Sequence, residues 1–115
     1  MMKHDQTQLI LDVLSSKWTI QVIQTLNDGT RRFSEIQKVL PDTKQKVLTE
    51  TLRKLERNGI VDRRVYPTIP PQVEYTLTSM GLDLLQLSGV LSDWVVAHEG
   101  EIVRSQKSYD RRNKA

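Results

Sequence analysis

Residues 44–58, KQKVLTETLRKLERN, restrict the possible folds of this chain more than any other stretch. Leu48, Leu52 and Leu55 recur at i, i+4 and i+7, and Val47 and Thr51 widen the stripe, which predicts an amphipathic helix with one buried face. Asn58-Gly59 is a strong stop. Directly beyond it, IVDRRVY and QVEYTLT alternate as strands do, with Val61, Arg63 and Val65 on one face and Val73, Tyr75 and Leu77 likewise. Between them, YPTIPPQVEY places three prolines among ten residues. Proline cannot donate to a strand ladder, so this segment predicts the tip of a hairpin.

Upstream the pattern is helical and interrupted. Gln6 to about Leu14 carries Leu9, Ile10, Val13 and Leu14 at helical spacing, with Ser15 and Ser16 as punctuation. A second helix is expected from Lys17 to about Asn27, presenting Trp18, Val22, Ile23 and Leu26, with Gly29 as its C-terminal glycine. Thr30–Phe33 reads as a brief strand. Ser34 is the expected N-cap of a helix reaching Leu40, and Thr43, after the Pro41-Asp42 break, the expected cap of the next. A last helix starts near Ser79, passes Trp94 and is expected to end about Ser105. The order helix, helix, short strand, helix, helix, strand, strand, helix describes a winged helix-turn-helix: an α+β fold, mainly α. The second helix of such a motif enters the DNA major groove and the hairpin wing lies along the backbone or minor groove.

Charge is uneven along the chain. Arg31 to Tyr75 holds ten Lys/Arg against six Asp/Glu, and 104–115 five against one, whereas 76–103 carries four acids and no base. A basic block is the footprint of a nucleic-acid binder, or simply a solvated surface. The expected organisation is one domain over 1–105, with a basic, flexible tail over 106–115. No run of about 18 apolar residues predicts a membrane span. The N-terminal stretch has an apolar patch broken by Asp12 and no small-residue cleavage site, so no secretory leader is expected. With no cysteine in the sequence, a disulfide, a thiol switch and a cysteine-ligated metal are excluded.

Taken together, Lys17-Trp18, RRFSEIQKVLP at 31–41, QKVLTETLRKLERNGIV at 45–61, YPTIPPQVEYTLTSMG at 66–81 and the late Trp94 resemble the HxlR-type winged-helix regulators of bacteria. The resemblance spans roughly residues 5–97. It implies a cytoplasmic transcriptional regulator that binds double-stranded DNA as a homodimer. Members of that family that sense oxidants carry a cysteine in the N-terminal helix region; Asp5 occupies that position here, so thiol sensing does not carry over. Where the family often has Ser at the head of the recognition helix, this chain has Lys44.

With the three leucines turned inward, Gln45, Lys46, Thr49 and Arg53 share the opposite side of helix 44–58. Gln suits adenine, Lys or Arg suits guanine, and Thr can touch a thymine methyl. Gln45, Lys46 and Thr49 lie in the N-terminal half that meets base edges; Arg53 is a turn further, within reach of phosphate. Lys44 could add a phosphate contact. Arg31, Arg32 and Ser34 are candidates for the backbone before and at the first motif helix. In the wing, spanning 60–78, Arg63 and Arg64 must point to opposite faces. One is free to contact phosphate while the other pairs with Glu74 or Asp62, and parity alone does not choose. Ile69 at the tip could pack on the wing base, touch minor-groove sugars, or stand exposed.

The last helix presents Met80, Leu84, Leu87, Leu91, Trp94 and Val95 at steps of three and four, more than a winged-helix core needs. With Leu9, Ile10 and Val13 it forms the expected dimer surface, of which Leu84, Leu87, Leu91 and Trp94 are the main members. A two-fold dimer would set two recognition helices about 34 Å apart on a palindromic operator. His4 and His98 have no metal-ligand spacing, and no nucleophile–base pair or Gly-rich phosphate loop occurs, so neither an enzyme nor a cofactor is expected. An unidentified small-molecule effector near Trp18 or Trp94 is a further possible partner. The competing reading is a winged-helix module that binds protein and no DNA.

Overall fold

A computed structural model of the protein describes Leu11 and residues 17–114. Its elements are helix α1 (Lys17–Thr25), strand β1 (Arg31–Arg32), helix α2 (Phe33–Val39), helix α3 (Gln45–Arg57), strands β2 (Val61–Tyr66) and β3 (Gln72–Leu77), and helix α4 (Ser79–Arg112). This is the predicted winged helix-turn-helix order. The helix predicted over Gln6–Leu14 falls outside the described residues, Leu11 excepted.

The core is the place where the apolar stripes of α1 and α3 meet. Val22, Ile23 and Leu26 from α1, Ile36 from α2, Leu48, Leu52 and Leu55 from α3, and Ile60 and Val61 leading into β2 are all buried. Phe33, Leu40, Tyr75, Leu77, Leu84 and Leu85 close it from the edges. The three strands form one antiparallel sheet in the order β1-β3-β2. Val61 faces Leu77, Arg63 faces Tyr75 and Val65 faces Val73, so the predicted alternation sets both strands' apolar positions on one face.

The turn from α3 into the wing is a Schellman motif. Gly59 donates to the Glu56 carbonyl (3.1 Å) and Ile60 to the Leu55 carbonyl (2.9 Å), capping the last turn of α3. Gly59 has φ +75, a conformation that favours glycine, and the buried Leu55 and Ile60 supply the apolar contact that accompanies the motif. The carbonyls of these same two residues, Gly59 and Ile60, in turn hold the start of α4. Thr78 Oγ1 donates to the Gly59 carbonyl (2.6 Å) and accepts from the Gly81 amide (3.0 Å), while the Thr78 amide donates to the Ile60 carbonyl (3.1 Å). One threonine thus N-caps α4 and ties it to the end of α3.

Helix starts differ from the expected caps in two places. Helix α2 begins at Phe33 with Arg32 as N-cap, and the closing bond is the Arg32 amide donating to Glu35 Oε1 (2.9 Å). Ser34 is inside the first turn and exposed, so it is not the cap. Helix α3 begins at Gln45 with Lys44 as N-cap, and Thr43 is buried with its hydroxyl unpartnered. Thr43 packs rather than caps.

Helix α4 has 34 residues and is about 51 Å long, which accounts for most of the 62 Å long axis of the molecule. It runs unbroken past Ser105 to Arg112, so residues 106–112 continue the helix, and the expected boundary at 105 coincides with no break in it.

Candidate nucleic-acid interface

Helix α3 divides sharply between its two sides. Leu48, Leu52 and Leu55 are fully covered, and Thr51, also buried, satisfies its hydroxyl on the Val47 carbonyl (2.8 Å). On the far side Lys44, Gln45, Lys46 and Arg53 are exposed and Thr49 is half-buried. The first-turn amides of α3 have no side-chain cap, and no acidic residue stands in that turn. A helix N-terminus that is uncapped, positive by its dipole and flanked by Lys44 and Lys46 is suited to approach an anionic surface.

The sheet sorts the arginines into two rows. Pairing of β1 with β3 sets Arg31 opposite Tyr75 and Arg32 opposite Glu74; pairing of β2 with β3 sets Arg63 opposite Tyr75 and Arg64 opposite Glu74. Arg31, Tyr75 and Arg63 therefore share the face that meets the core, and Arg32, Glu74 and Arg64 share the outer face. Arg31 is half-buried, and its Nε donates to the Thr25 carbonyl (2.7 Å), closing the end of α1; that bond gives it a structural role among the ten candidates. Arg32 is exposed. Arg64 lies over the Tyr66 ring, 5.6 Å from its centroid, a cation–π contact.

Arg63 finds its partner outside the pair the sequence offered. Its Nε sits 3.2 Å and 3.4 Å from the two carboxylate oxygens of Glu56 on α3, and neither Glu74 nor Asp62 holds it. Glu56 was not among the residues legible as functional; its signal is that it stands one turn beyond Arg53 on the same helix. Arg63, Glu56 and Arg53 all act electrostatically on Tyr75, where α3 meets the wing. Burial raises the Tyr75 phenol above its ordinary value of 10.0, opposed by Arg63, with smaller contributions from Glu56, which raises it, and Arg53, which lowers it.

The wing tip spans Pro67–Pro71. The Thr68 amide donates to the Tyr66 carbonyl (2.8 Å), its hydroxyl to the Pro70 carbonyl (2.8 Å), and the Ile69-Pro70 peptide is cis. Ile69 is fully exposed and does not pack on the wing base.

On α4, Gly81, Leu84, Leu85 and Ser88 turn toward the core, so Leu84 serves the monomer's interior as well as bordering the expected dimer surface. Leu87, Leu91, Trp94 and Val95 stay about half-exposed. Trp94 stacks on His98 with ring centroids 4.5 Å apart, and His98 Nδ1 lies 2.8 Å from the Trp94 carbonyl. Leu9, Ile10 and Val13 lie outside the described residues. Among the described residues no group of His, Asp and Glu is arranged to hold a metal, and no helix is long and apolar enough to cross a membrane.

Comparison with known proteins gives one consistent result. The model of the HxlR-like helix-turn-helix family matches residues 13–102. An uncharacterized HTH-type transcriptional regulator of Methanothermobacter thermautotrophicus is 41% identical over 87 residues, covering 76% of this chain and 66% of the relative. The HTH-type regulator YtfH of Escherichia coli is 32% identical over 94 residues, covering 82% and 75%. The chain thus spans about two thirds to three quarters of these relatives' lengths. Among solved structures, the reduced form of the transcriptional regulator YodB of B. subtilis superposes with a TM-score of 0.71 at 37% identity, covering 83% of this chain and 92% of that one.

Proposed function

Because the chain belongs to the HxlR-like helix-turn-helix family, a family of non-enzymatic regulators, we propose that it reads double-stranded DNA as a sequence-specific transcriptional regulator. The observation that carries this reading is the outer side of α3, where Gln45, Lys46 and Arg53 stand exposed opposite three buried leucines and beside a β-hairpin. Gln45, Lys46 and Thr49 reach base edges; Lys44, Arg53, Arg32 and a wing arginine contact phosphate. Ser34, exposed in the first turn of α2, is a further backbone contact.

The working unit is a homodimer. Leu87, Leu91 and Trp94 form an apolar strip on α4 that the monomer leaves half-exposed, and a second copy laid against it, together with Leu9, Ile10 and Val13, would cover it. The proposed domain over 1–105 shares its last helix with the basic segment 106–115, since α4 runs on to Arg112 without a break. A shallow groove of about 420 Å³ between α1 and α4, lined by Ile20, Ser88, Leu91, Ser92, Val95 and Val96, is the place for an apolar effector. The regulator works in the cytoplasm.

Selection of bound duplexes from a random-sequence library tests this. The expected outcome is an enriched inverted repeat whose half-sites are about one turn, 10 bp, apart. Failure to enrich any sequence, together with binding that ignores salt, would instead assign the fold to a protein-interaction module.

A further inference from the structure

We infer that Glu56 is a positioning residue for DNA binding: it holds Arg63 so that this arginine, and not Arg64, is the wing's phosphate contact. The inference rests on the DNA-binding reading above and deepens it at one point, the junction of recognition helix and wing.

The geometry of the ion pair carries the argument. Both oxygens of Glu56 engage Nε of Arg63, at 3.2 and 3.4 Å, and among the described residues the terminal Nη groups make no hydrogen bond. Guanidinium presents five N–H donors in a planar fork, so a carboxylate seated at Nε fixes the plane and leaves the Nη edge for a second acceptor. A phosphate is the acceptor that this edge fits, because Arg pairs with it through two parallel N–H bonds.

Placement agrees. Register sets Arg63 on the face of the sheet that meets α3, and Glu56 itself belongs to α3. Arg64 is on the outer face, with its guanidinium over Tyr66. The Arg63 and Glu56 side chains are 43% and 39% exposed, so water reaches the pair and a DNA backbone can as well. An ion pair this exposed contributes little to folding, which makes positioning the better account of it. Holding a long side chain in one geometry before DNA arrives removes part of the ordering entropy of binding. Glu56 pays for this with its own negative charge near DNA, which Arg53 on the preceding turn offsets.

The test is a double-mutant cycle, with anisotropy titrations of a duplex recovered by selection, across a salt series. Arg63→Ala should weaken binding about tenfold and reduce the slope of log affinity on log salt by about 0.9, one phosphate's worth. Arg64→Ala should leave that slope unchanged. Glu56→Ala should weaken binding about threefold in the parent and not at all in the Arg63→Ala background, the signature of acting through Arg63. Glu56→Gln, which keeps an oxygen for Nε, should bind at least as tightly as the parent.

Tighter binding by Glu56→Ala in both backgrounds would reduce Glu56 to a repulsive charge and overturn the inference. Equal weakening in both backgrounds, or a salt slope that follows Arg64, would overturn it as well. If the parent shows no salt-dependent binding to any duplex, the failure lies with the DNA-binding reading itself, not with Glu56.

Discussion

Replacing Gly81 by alanine tests whether the junction between wing and α4 is as tight as the structure has it. Gly81 is in the first turn of α4, where intrinsic propensity favours alanine by about 1 kcal/mol. Against that, a Cβ at this position would collide with the Ile60 backbone carbonyl and stand 3.0 Å from Leu77 Cδ2. The carbonyl cannot swing away freely, because it accepts from the Thr78 amide at 3.1 Å, part of the clamp that starts α4. Overpacking costs about 1–3 kcal/mol, and a clash with a fixed backbone carbonyl belongs at the upper end, so about 1–2 kcal/mol remains once the propensity gain is subtracted. For 115 residues the unfolding entropy is about 0.24 kcal/mol per degree, so Tm should fall by about 4–8 °C. Gly89 in the same helix is the control: a Cβ there meets nothing within 4 Å, so Gly89→Ala should gain about 0.5–1 kcal/mol and raise Tm by about 2–4 °C. Calorimetry at one fixed protein concentration measures both. If Gly81→Ala is as stable as the parent or more so, the close approach of α4 to Ile60 is refuted.

Three further outcomes follow from the site and its surroundings. Since burial raises the Tyr75 phenol above 10.0, the native state keeps its proton after the unfolded chain has lost it; stability should therefore fall as pH rises beyond about 10, and urea titrations of Tyr75→Phe should show a smaller fall. Leu91→Glu places a charge on the apolar strip of α4, half-exposed in the monomer; it should weaken self-association by about 3 kcal/mol or more in sedimentation velocity while leaving the fold intact. Gln45→Ala and Lys46→Ala should each relax the sequence preference at one half-site position by about 1–3 kcal/mol, read from competition titrations with single-base variants.

The parts of this fold legible in the sequence are those fixed by periodicity. Leu48, Leu52 and Leu55 announced both the buried side of α3 and, by subtraction, its outward side. The alternation of VDRRVY against QVEYTL gave the strand faces as the register has them. Helix caps were less legible because they are decided within one residue: Ser34 and Thr43 have suitable side chains, yet Glu35 reaches back to the Arg32 amide and Thr43 is turned inward. Helix α4 continues seven residues beyond the expected end at Ser105, because Ser105 is no helix breaker and neither Gly nor Pro follows it. Alternation settled that Arg63 and Arg64 oppose one another, but not which one meets α3. That depends on how the hairpin folds back on the helix, seven residues away at Glu56, and no local pattern encodes it.

In the proposed function, α3 and the wing together read a DNA sequence. Its most direct measurement is the affinity of the purified protein for a selected duplex and for a shuffled duplex of the same length, titrated side by side across salt. Both affinities should fall steeply with salt, and the selected duplex should be bound at least about 10³-fold more tightly. Equal affinity for the two duplexes, or affinity that does not change with salt, would contradict it.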